Sequence, residues 1–133
     1  MLNNFNRCSL KHFILRVTAR LADGGGPNQG RVELNVNGLL GTVADPGWDE
    51  KDGDVVCRML GLPPSFATPG RAIFGQGTGM IWLAYVDCLG NESSLISCGN
   101  AGGWGAGDYY INGGHANDAG VICGEPIGEL RSR

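Results

Sequence analysis

Cysteines and histidines are the side chains in this sequence best suited to chemistry near neutral pH. The 133-residue chain has five cysteines and two histidines, at Cys8, Cys57, Cys88, Cys98, Cys123, His12 and His115. They do not form a two-cysteine, two-histidine zinc spacing, and the chain has no Gly-x-Ser-x-Gly nucleophile elbow. Catalysis is therefore not predicted, and the thiols are interpreted as disulfide partners or as buried apolar groups.

Glycine and acidic residues provide two further candidate sites, and neither predicts an active site. Residues 75–79, GQGTG, are superficially similar to a phosphate-binding loop, but they do not connect a strand to a long helix. Asp52 and Asp54 fall at a predicted helix start, where acids complement the positive end of the helix dipole. We interpret both as solvated side chains and predict that the protein is not an enzyme.

The composition indicates one small, turn-rich domain. The chain has 24 glycines and 6 prolines, and its hydrophobic content of 42% is too high for disorder. The longest apolar run, residues 80–86, is far shorter than the roughly 20 residues of a membrane-spanning helix. A net charge of -3 does not favour nucleic-acid binding. We predict an N-terminal extension at 1–15, a domain at 16–124 and a C-terminal tail at 125–133.

Hydrophobic periodicity predicts several short strands and one main helix. Residues 31–36 alternate polar and apolar, and the Asn-Gly pair after them predicts a type I′ turn into a partner strand at 39–43. Asp49 is the predicted N-cap of a helix over about 49–60. A short helix is predicted at about 91–97, and further strands at 17–21, 80–86 and 119–123. The predicted fold is α+β, a curved antiparallel sheet of five to six short strands that cradles the helix.

The chain resembles the scavenger receptor cysteine-rich (SRCR) domain family through a series of collinear motifs. These motifs cover about residues 16–124 and are GRVE (30–33), GTV (41–43), GWD (47–49), DVVCRMLG (54–61), GRA (70–72), FGQG (74–77), IWL (81–83), VDC (86–88), ESSL (92–95), WG (104–105), GH (114–115) and DAGVIC (118–123). The resemblance implies a disulfide-stapled curved sheet around one helix. It also implies an extracytosolic interaction module without catalytic activity.

The cysteine pattern departs from the family's six-cysteine form at both ends of one bridge. Ala44 and Gly113 occupy the two positions at which the resemblance places the missing cysteines. For the remaining four cysteines the resemblance implies the pairs Cys57–Cys123 and Cys88–Cys98. By the loop-entropy argument these bridges contribute roughly 4 and 3 kcal/mol. The alternative is four buried free thiols in a reducing compartment.

The resemblance also implies a calcium site, and this chain has lost much of it. Family members present two acids in the turn before Gly-Trp and one acid just before Asp-Ala-Gly, which suits the oxygen preference of Ca²⁺. The corresponding residues here are Asp45, Pro46 and Asn117, with Asp118 as a further carboxylate. We therefore predict no metal site and no cofactor, with weak Ca²⁺ binding as the most that this degraded site would support.

Apolar replacements predict a protein-contact face. Ala84 and Tyr85 replace acids of the family pattern, and a lengthened loop after Trp104 carries further apolar side chains. Because aromatic side chains anchor many protein interfaces, the predicted partner contacts are Tyr85, Tyr109, Tyr110 and Ile111. The alternative is that this loop folds back and fills the space of the missing bridge.

Two functions follow from these patterns. The first is an accessory or structural subunit, docked on a larger protein assembly in a non-reducing compartment and compatible with association with a membrane complex. The alternative is a secreted or cell-surface domain of scavenger-receptor type, which binds polyanionic or microbial ligands. Cys8 is interpreted either as an intermolecular disulfide partner or as an unpaired thiol. Asn91 begins an Asn-Glu-Ser glycosylation sequon.

Overall fold

The computed structural model describes residues 16–100, 104–105 and 114–125, in which a six-stranded sheet is built around one helix. The sheet consists of β1 (Val17–Gly26), β2 (Gln29–Val36), β3 (Leu39–Val43), β4 (Ser65–Ala67), β5 (Met80–Leu83) and β8 (Gly120–Cys123). The other elements are helix α1 (Glu50–Met59), a small ribbon of β6 (Val86–Asp87) and β7 (Gly99–Asn100), and 3₁₀ helices at Leu95–Ser97 and Gly114–Asn117. The predicted α+β architecture is confirmed.

Strand β2 lies at the centre of the sheet. One of its edges pairs with β1, and the other pairs with β3 and β8. Val32 and Leu34 are accordingly fully buried. Between β2 and β3, Asn37 and Gly38 have φ values of 51° and 99°, the left-handed conformations that a type I′ turn requires. The hairpin prediction is confirmed.

One strand pair differs from the predicted antiparallel sheet. Strands β3 and β5 run parallel, with Thr42 opposite Ile81. A parallel pair needs a long crossover connection, and here α1 and the loop that follows β4 supply it. The sheet is therefore mixed rather than wholly antiparallel. The sequence pattern predicted strands at both places but not the crossover between them.

The predicted strand over residues 80–86 is interrupted. Strand β5 ends at Leu83, and β6 begins at Val86. Between them Tyr85 has a φ of 57°, and its N–H donates to the carbonyl of Pro46 at 3.2 Å. A left-handed residue cannot continue a strand, so the chain turns there.

Helix α1 begins and ends where its sequence predicts. Asp49 is the N-cap and accepts hydrogen bonds from the backbone N–H groups of Lys51 and Asp52, and Leu60 is the C-cap. The apolar stripe of the helix packs into the core through Val55, Val56 and Cys57, all fully buried. The predicted second helix is shorter than expected, because Ser94 caps a single 3₁₀ turn at Leu95–Ser97.

Asp52 is a buried carboxyl rather than the solvated side chain that its place in the first helical turn suggested. It is fully buried, and its two oxygens accept hydrogen bonds from the N–H groups of Asp49 and Cys88, each at 2.9 Å. Burial raises the pKa of Asp52 to about 6, although the two backbone hydrogen bonds oppose that shift. The helix start is thereby tied to the chain around Cys88.

Two disulfides staple these elements. Cys57 of α1 is bonded to Cys123 of β8, with a Cα–Cα distance of 5.7 Å, and Cys88 is bonded to Cys98, with a Cα–Cα distance of 4.6 Å. These are the pairs that the family resemblance implies, and they rule out the alternative of four free thiols. Cys8 lies outside the described residues.

Candidate interaction face

Three segments converge on one exposed face, which we call the interaction face: residues 45–47, residues 70–73 and Tyr85. One oxygen of the Asp45 carboxylate accepts a hydrogen bond from the N–H of Arg71 at 2.6 Å. A side chain at Gly70 would collide with Asp45, because a Cβ built there lies 2.5 Å from Oδ2. The carboxylate therefore holds the 70–73 loop against the 45–47 turn.

A depression of about 430 Å³ lies on the interaction face between the turn and the loop. Its lining combines one carboxylate, one guanidinium and mostly apolar groups: Asp45, Trp48, Thr68, Pro69, Gly70, Arg71 and Ile73. Ile73 is 68% exposed at its rim, and Arg71 is exposed. Within the described residues Arg71 forms no ion pair, so its charge is available to a partner.

Backbone strain is concentrated on the same face. Among the described residues, five non-glycine residues have a left-handed φ, and three of them are Arg71 (55°), Ala72 (52°) and Tyr85 (57°). The other two, Asp23 and Asn37, are residue types that tolerate this conformation. Arg, Ala and Tyr do not, and each such residue costs about 1–3 kcal/mol. Strain of this kind is maintained where the surrounding structure holds a particular presentation of side chains.

Asp118 belongs to a buried hydrogen-bond network that lies behind the interaction face. It accepts hydrogen bonds from Thr42 Oγ1 at 2.8 Å and from the N–H of Gly77 at 2.7 Å, and His115 Nδ1 lies 3.0 Å from its Oδ2. The other ring nitrogen of His115 lies 2.9 Å from the carbonyl of Gly79. This network ties the 75–79 loop to the 3₁₀ helix at Gly114–Asn117. His115 and Asp118 have a structural role here, with the hydrogen-bonding capacity of the carboxylate in use.

The residues of the degraded calcium site do not fit a calcium ion. Asp45 and Asn117 are adjacent, since the N–H of Asp45 donates to the carbonyl of Asn117 at 2.8 Å. However, Pro46 and Asn117 contribute no carboxylate, and Asp118 is buried and turned into its own network. Calcium sites take roughly six to eight oxygens that normally include carboxylates, and among residues 45–47, 70–73 and 85 the Asp45 carboxylate, which already accepts from Arg71, is the one available.

The predicted partner contacts are only partly within the described chain. Tyr85 is 45% exposed on the interaction face. Tyr109, Tyr110 and Ile111 lie outside the described residues, as does Gly113 of the missing bridge. Ala44, at the other end of that missing bridge, is 1% exposed, so its methyl group is buried at the position where the resemblance places a cysteine.

The sequence patterns did not single out Arg71 and Ile73 as members of the interaction face. Both belong to an irregular segment without hydrophobic periodicity. The GRA motif at 70–72 indicates that this segment resembles the family, but not which of its side chains are exposed. The left-handed Arg71-Ala72 pair, which turns Ile73 outward, depends on the contact between Gly70 and Asp45. That contact joins residues 25 positions apart, and no local pattern predicts it.

A family model described as a scavenger receptor cysteine-rich domain matches residues 22–124. The chain belongs to the scavenger receptor cysteine-rich family. The SRCR chain is 50% identical over 104 residues to galectin-3-binding protein of Pongo abelii, an alignment covering 78% of the chain and 17% of that relative. It is 46% identical over 106 residues to macrophage scavenger receptor types I and II of Mus musculus, covering 80% and 22% respectively. The chain therefore spans about a fifth of the length of these curated relatives.

Solved SRCR structures are similar to this chain as well. The third SRCR domain of murine neurotrypsin is 39% identical with a TM-score of 0.73, and the match covers 84% of this chain and 99% of that one. The dimeric form of the SRCR domain of mouse MARCO is 41% identical with a TM-score of 0.63, covering 75% and 90%.

Family membership sets the general function of the domain. SRCR domains are non-catalytic recognition modules, so this domain is an interaction module and not an enzyme. The two disulfides together with the family assign it to an extracytosolic environment. Within the described parts of the chain, no helix has the length and apolar character needed to cross a bilayer.

Proposed function

We propose that the protein is an accessory SRCR subunit that docks stably on a protein partner in an extracytosolic assembly, without calcium, through its interaction face. The observation that carries the proposal is Tyr85, which is 45% exposed although its backbone is held in a left-handed conformation against Pro46. An exposed aromatic side chain on a strained, hydrogen-bonded turn is pre-organised for contact. Little conformational entropy is then lost when a partner binds.

The chemistry of the face indicates the kind of partner. Ile73 and the 430 Å³ depression would accept an apolar side chain of the partner, and exposed Arg71 would pair with a carboxylate beside it. Such a combination of an aromatic anchor, an aliphatic rim and one arginine is typical of protein-interface hot spots. The Asp45 carboxylate is the one acid among residues 45–47, 70–73 and 85, which favours a permanent protein contact over cation-dependent ligand capture.

The Tyr85→Gly substitution tests the proposal with little risk to folding. Glycine adopts a φ of 57° without strain, so the free energy of unfolding should stay unchanged or rise by up to about 1 kcal/mol. Loss of an aromatic hot spot should at the same time weaken partner binding by about 30-fold, equivalent to about 2 kcal/mol. Affinity is measured by co-purification and surface plasmon resonance in the presence of EDTA.

Leu39→Ser is the matched control. Leu39 is 62% exposed, but it lies at the other end of β3 from residues 45–47, so this variant should bind like the wild type. Equal loss of binding in both variants, or no loss with Tyr85→Gly, would refute the assignment of the interaction face. A complex that dissociates on chelation of Ca²⁺ would refute the cation-independent mode.

A second function is favoured by the likeness to macrophage scavenger receptor types I and II. In this alternative the domain binds polyanionic or microbial ligands directly. A monomeric protein that binds dextran sulfate in a Ca²⁺-dependent manner would support this function and exclude the accessory-subunit proposal. A stoichiometric protein complex that does not bind dextran sulfate would exclude the alternative.

A further inference from the structure

The segment around Asn91 forms a small, firmly held surface loop within the Cys88–Cys98 disulfide. Gly90 has a φ of 109°, and the Glu92 carboxylate accepts hydrogen bonds from the N–H groups of Leu89 and Gly90 at 2.8 and 2.9 Å. The carbonyl of Glu92 accepts from Arg58 Nη1 at 2.7 Å, which ties the loop to α1. The loop is therefore a defined turn on the outside of the domain.

Asn91 is presented outward on this turn. Its side chain is exposed and makes no hydrogen bond to any other residue that the structure describes. Ser93, two positions later, is also exposed, and its hydroxyl is likewise unbonded within the described chain. By contrast, Ser94 uses its hydroxyl to cap the 3₁₀ helix through the N–H of Ile96. The Asn and Ser of the triplet are therefore the two members left available to an enzyme.

We propose that Asn91 carries an N-linked oligosaccharide. Asn91-Glu92-Ser93 is the only Asn-x-Ser/Thr triplet in the sequence, and the domain is extracytosolic, the context in which such a triplet is an acceptor. A secretory-pathway transferase moves the oligosaccharide from its lipid-linked diphosphate donor to the side-chain nitrogen. The bond from Asn91 Nδ2 to C1 of the first sugar forms, and Nδ2 loses one proton. The bond from C1 to the phosphate oxygen breaks, and the lipid diphosphate leaves.

The position of the glycan explains another surface feature. Leu89 is 78% exposed two residues from Asn91, and Gly90 lies beside Lys51 on the outer side of α1, since a Cβ built at Gly90 would be 3.6 Å from Lys51 Cβ. An oligosaccharide on Asn91 covers Leu89 and this side of the helix, and so keeps them from association. The glycan and the interaction face involve different residues, so loss of the glycan should leave partner affinity within twofold of the wild type.

Expression of the chain through the secretory pathway of cultured mammalian cells tests the inference. The secreted protein should migrate faster on gels after peptide N-glycosidase treatment, and mass spectrometry should find Asn91 converted to Asp by that enzyme. Asn91→Gln and Ser93→Ala should each abolish the shift completely. Asn100→Gln, which changes an asparagine outside the triplet, should retain it.

Secreted, disulfide-bonded wild-type protein with an unmodified Asn91 peptide would overturn the proposal. A shift that persists in Ser93→Ala would overturn it as well. Because the peptide is analysed in the wild type, poor secretion of a variant leaves the test intact. Absence of the glycan with normal partner binding would refute this inference and leave the proposed docking function standing.

Discussion

At the scale of single residues, Asp52 shows how a carboxyl can be committed to the core of a small domain. Its ordinary pKa is 3.8, and burial raises the pKa to about 6 in the folded protein. The folded state therefore holds the proton more tightly than the unfolded chain does. The stability that protonated Asp52 provides is fully present below about pH 4 and is lost as the pH rises through about 6.

This linkage predicts a measurable pH dependence of stability. The free energy of unfolding should fall by up to about 3 kcal/mol between pH 4 and pH 7 because of Asp52 alone. Asp52→Asn, which cannot titrate, should flatten the profile in urea titrations. Asp54→Asn is the control, because Asp54 of the same helix is only half-buried and accepts hydrogen bonds from Ser65, so this variant should keep the pH dependence of the wild type. A slope that is identical in wild type and Asp52→Asn would contradict the prediction.

The calcium positions allow a gain-of-function prediction at the same scale. Pro46→Asp together with Asn117→Glu returns two carboxylates beside Asp45, because the chain at Asp45 and at Asn117 is joined by a backbone hydrogen bond. With an affinity typical of extracellular calcium modules, 10 mM Ca²⁺ should stabilise this double variant by about 1.4–2.7 kcal/mol. The wild type should not respond. Thermal denaturation with and without Ca²⁺ measures both, and micromolar binding by the wild type in calorimetry would contradict the prediction.

At the scale of elements, the long 68–79 loop carries part of the interaction face and is anchored by Arg31 and Asp118 as well as by Asp45. Arg31, which is nearly buried on β2, donates to the carbonyls of Phe74 and Gly75 at 3.3 and 3.1 Å. The N–H of Gly77 donates to Asp118. Burial alone would lower the pKa of Arg31, but its bonds to Glu33 and Asp23 outweigh burial and raise the pKa overall. The guanidinium therefore stays charged and holds the loop on the sheet.

Removing the Arg31 side chain should reduce both the stability of the domain and its affinity for a partner. Arg31→Met leaves Glu33 buried with Arg20 as its one ion-pair partner among the described residues, so the free energy of unfolding should fall by about 3 kcal/mol, the low end for a broken buried ion pair. Partner binding should weaken too, because residues 70–73 adjoin Phe74 and Gly75, which Arg31 no longer holds, and only their other contacts, such as the Asp45–Arg71 hydrogen bond, remain. Arg20→Met is the control, since Arg20 is 62% exposed and should cost about 1 kcal/mol or less. Urea denaturation measures the free energy of unfolding of both variants. Equal losses of stability in Arg31→Met and Arg20→Met would refute the anchoring role of Arg31.

The sequence predicted elements better than it predicted the interaction face. The capped helix, the Asn37-Gly38 hairpin and the disulfide pairs follow from local signals or from family motifs. The parallel β3–β5 pair, the burial of Asp52 and the outward turn of Ile73 were not predicted. Each of these depends on a contact between distant segments, and periodicity or capping reports only on neighbours in the chain.

At the scale of the whole molecule, the two disulfides make unequal contributions. Cys57 and Cys123 are 66 residues apart, whereas Cys88 and Cys98 are 10 apart. In the loop-entropy account, Cys57→Ala with Cys123→Ala should cost about 4 kcal/mol and Cys88→Ala with Cys98→Ala about 3 kcal/mol. Guanidinium denaturation of the two double variants tests this order. A larger loss from the shorter bridge would show that native-state packing, not chain entropy, dominates.

The Cys57–Cys123 bond also has a consequence for the fate of the protein in an extracytosolic environment. Any single cut in the backbone between these two cysteines yields two pieces that remain joined through sulfur, because one carries Cys57 of α1 and the other carries Cys123 of β8. A protease that nicks one of the exposed loops in this stretch would therefore release no fragment. The nick would become visible only after reduction, and a domain built in this way suits an extracytosolic environment that contains proteases.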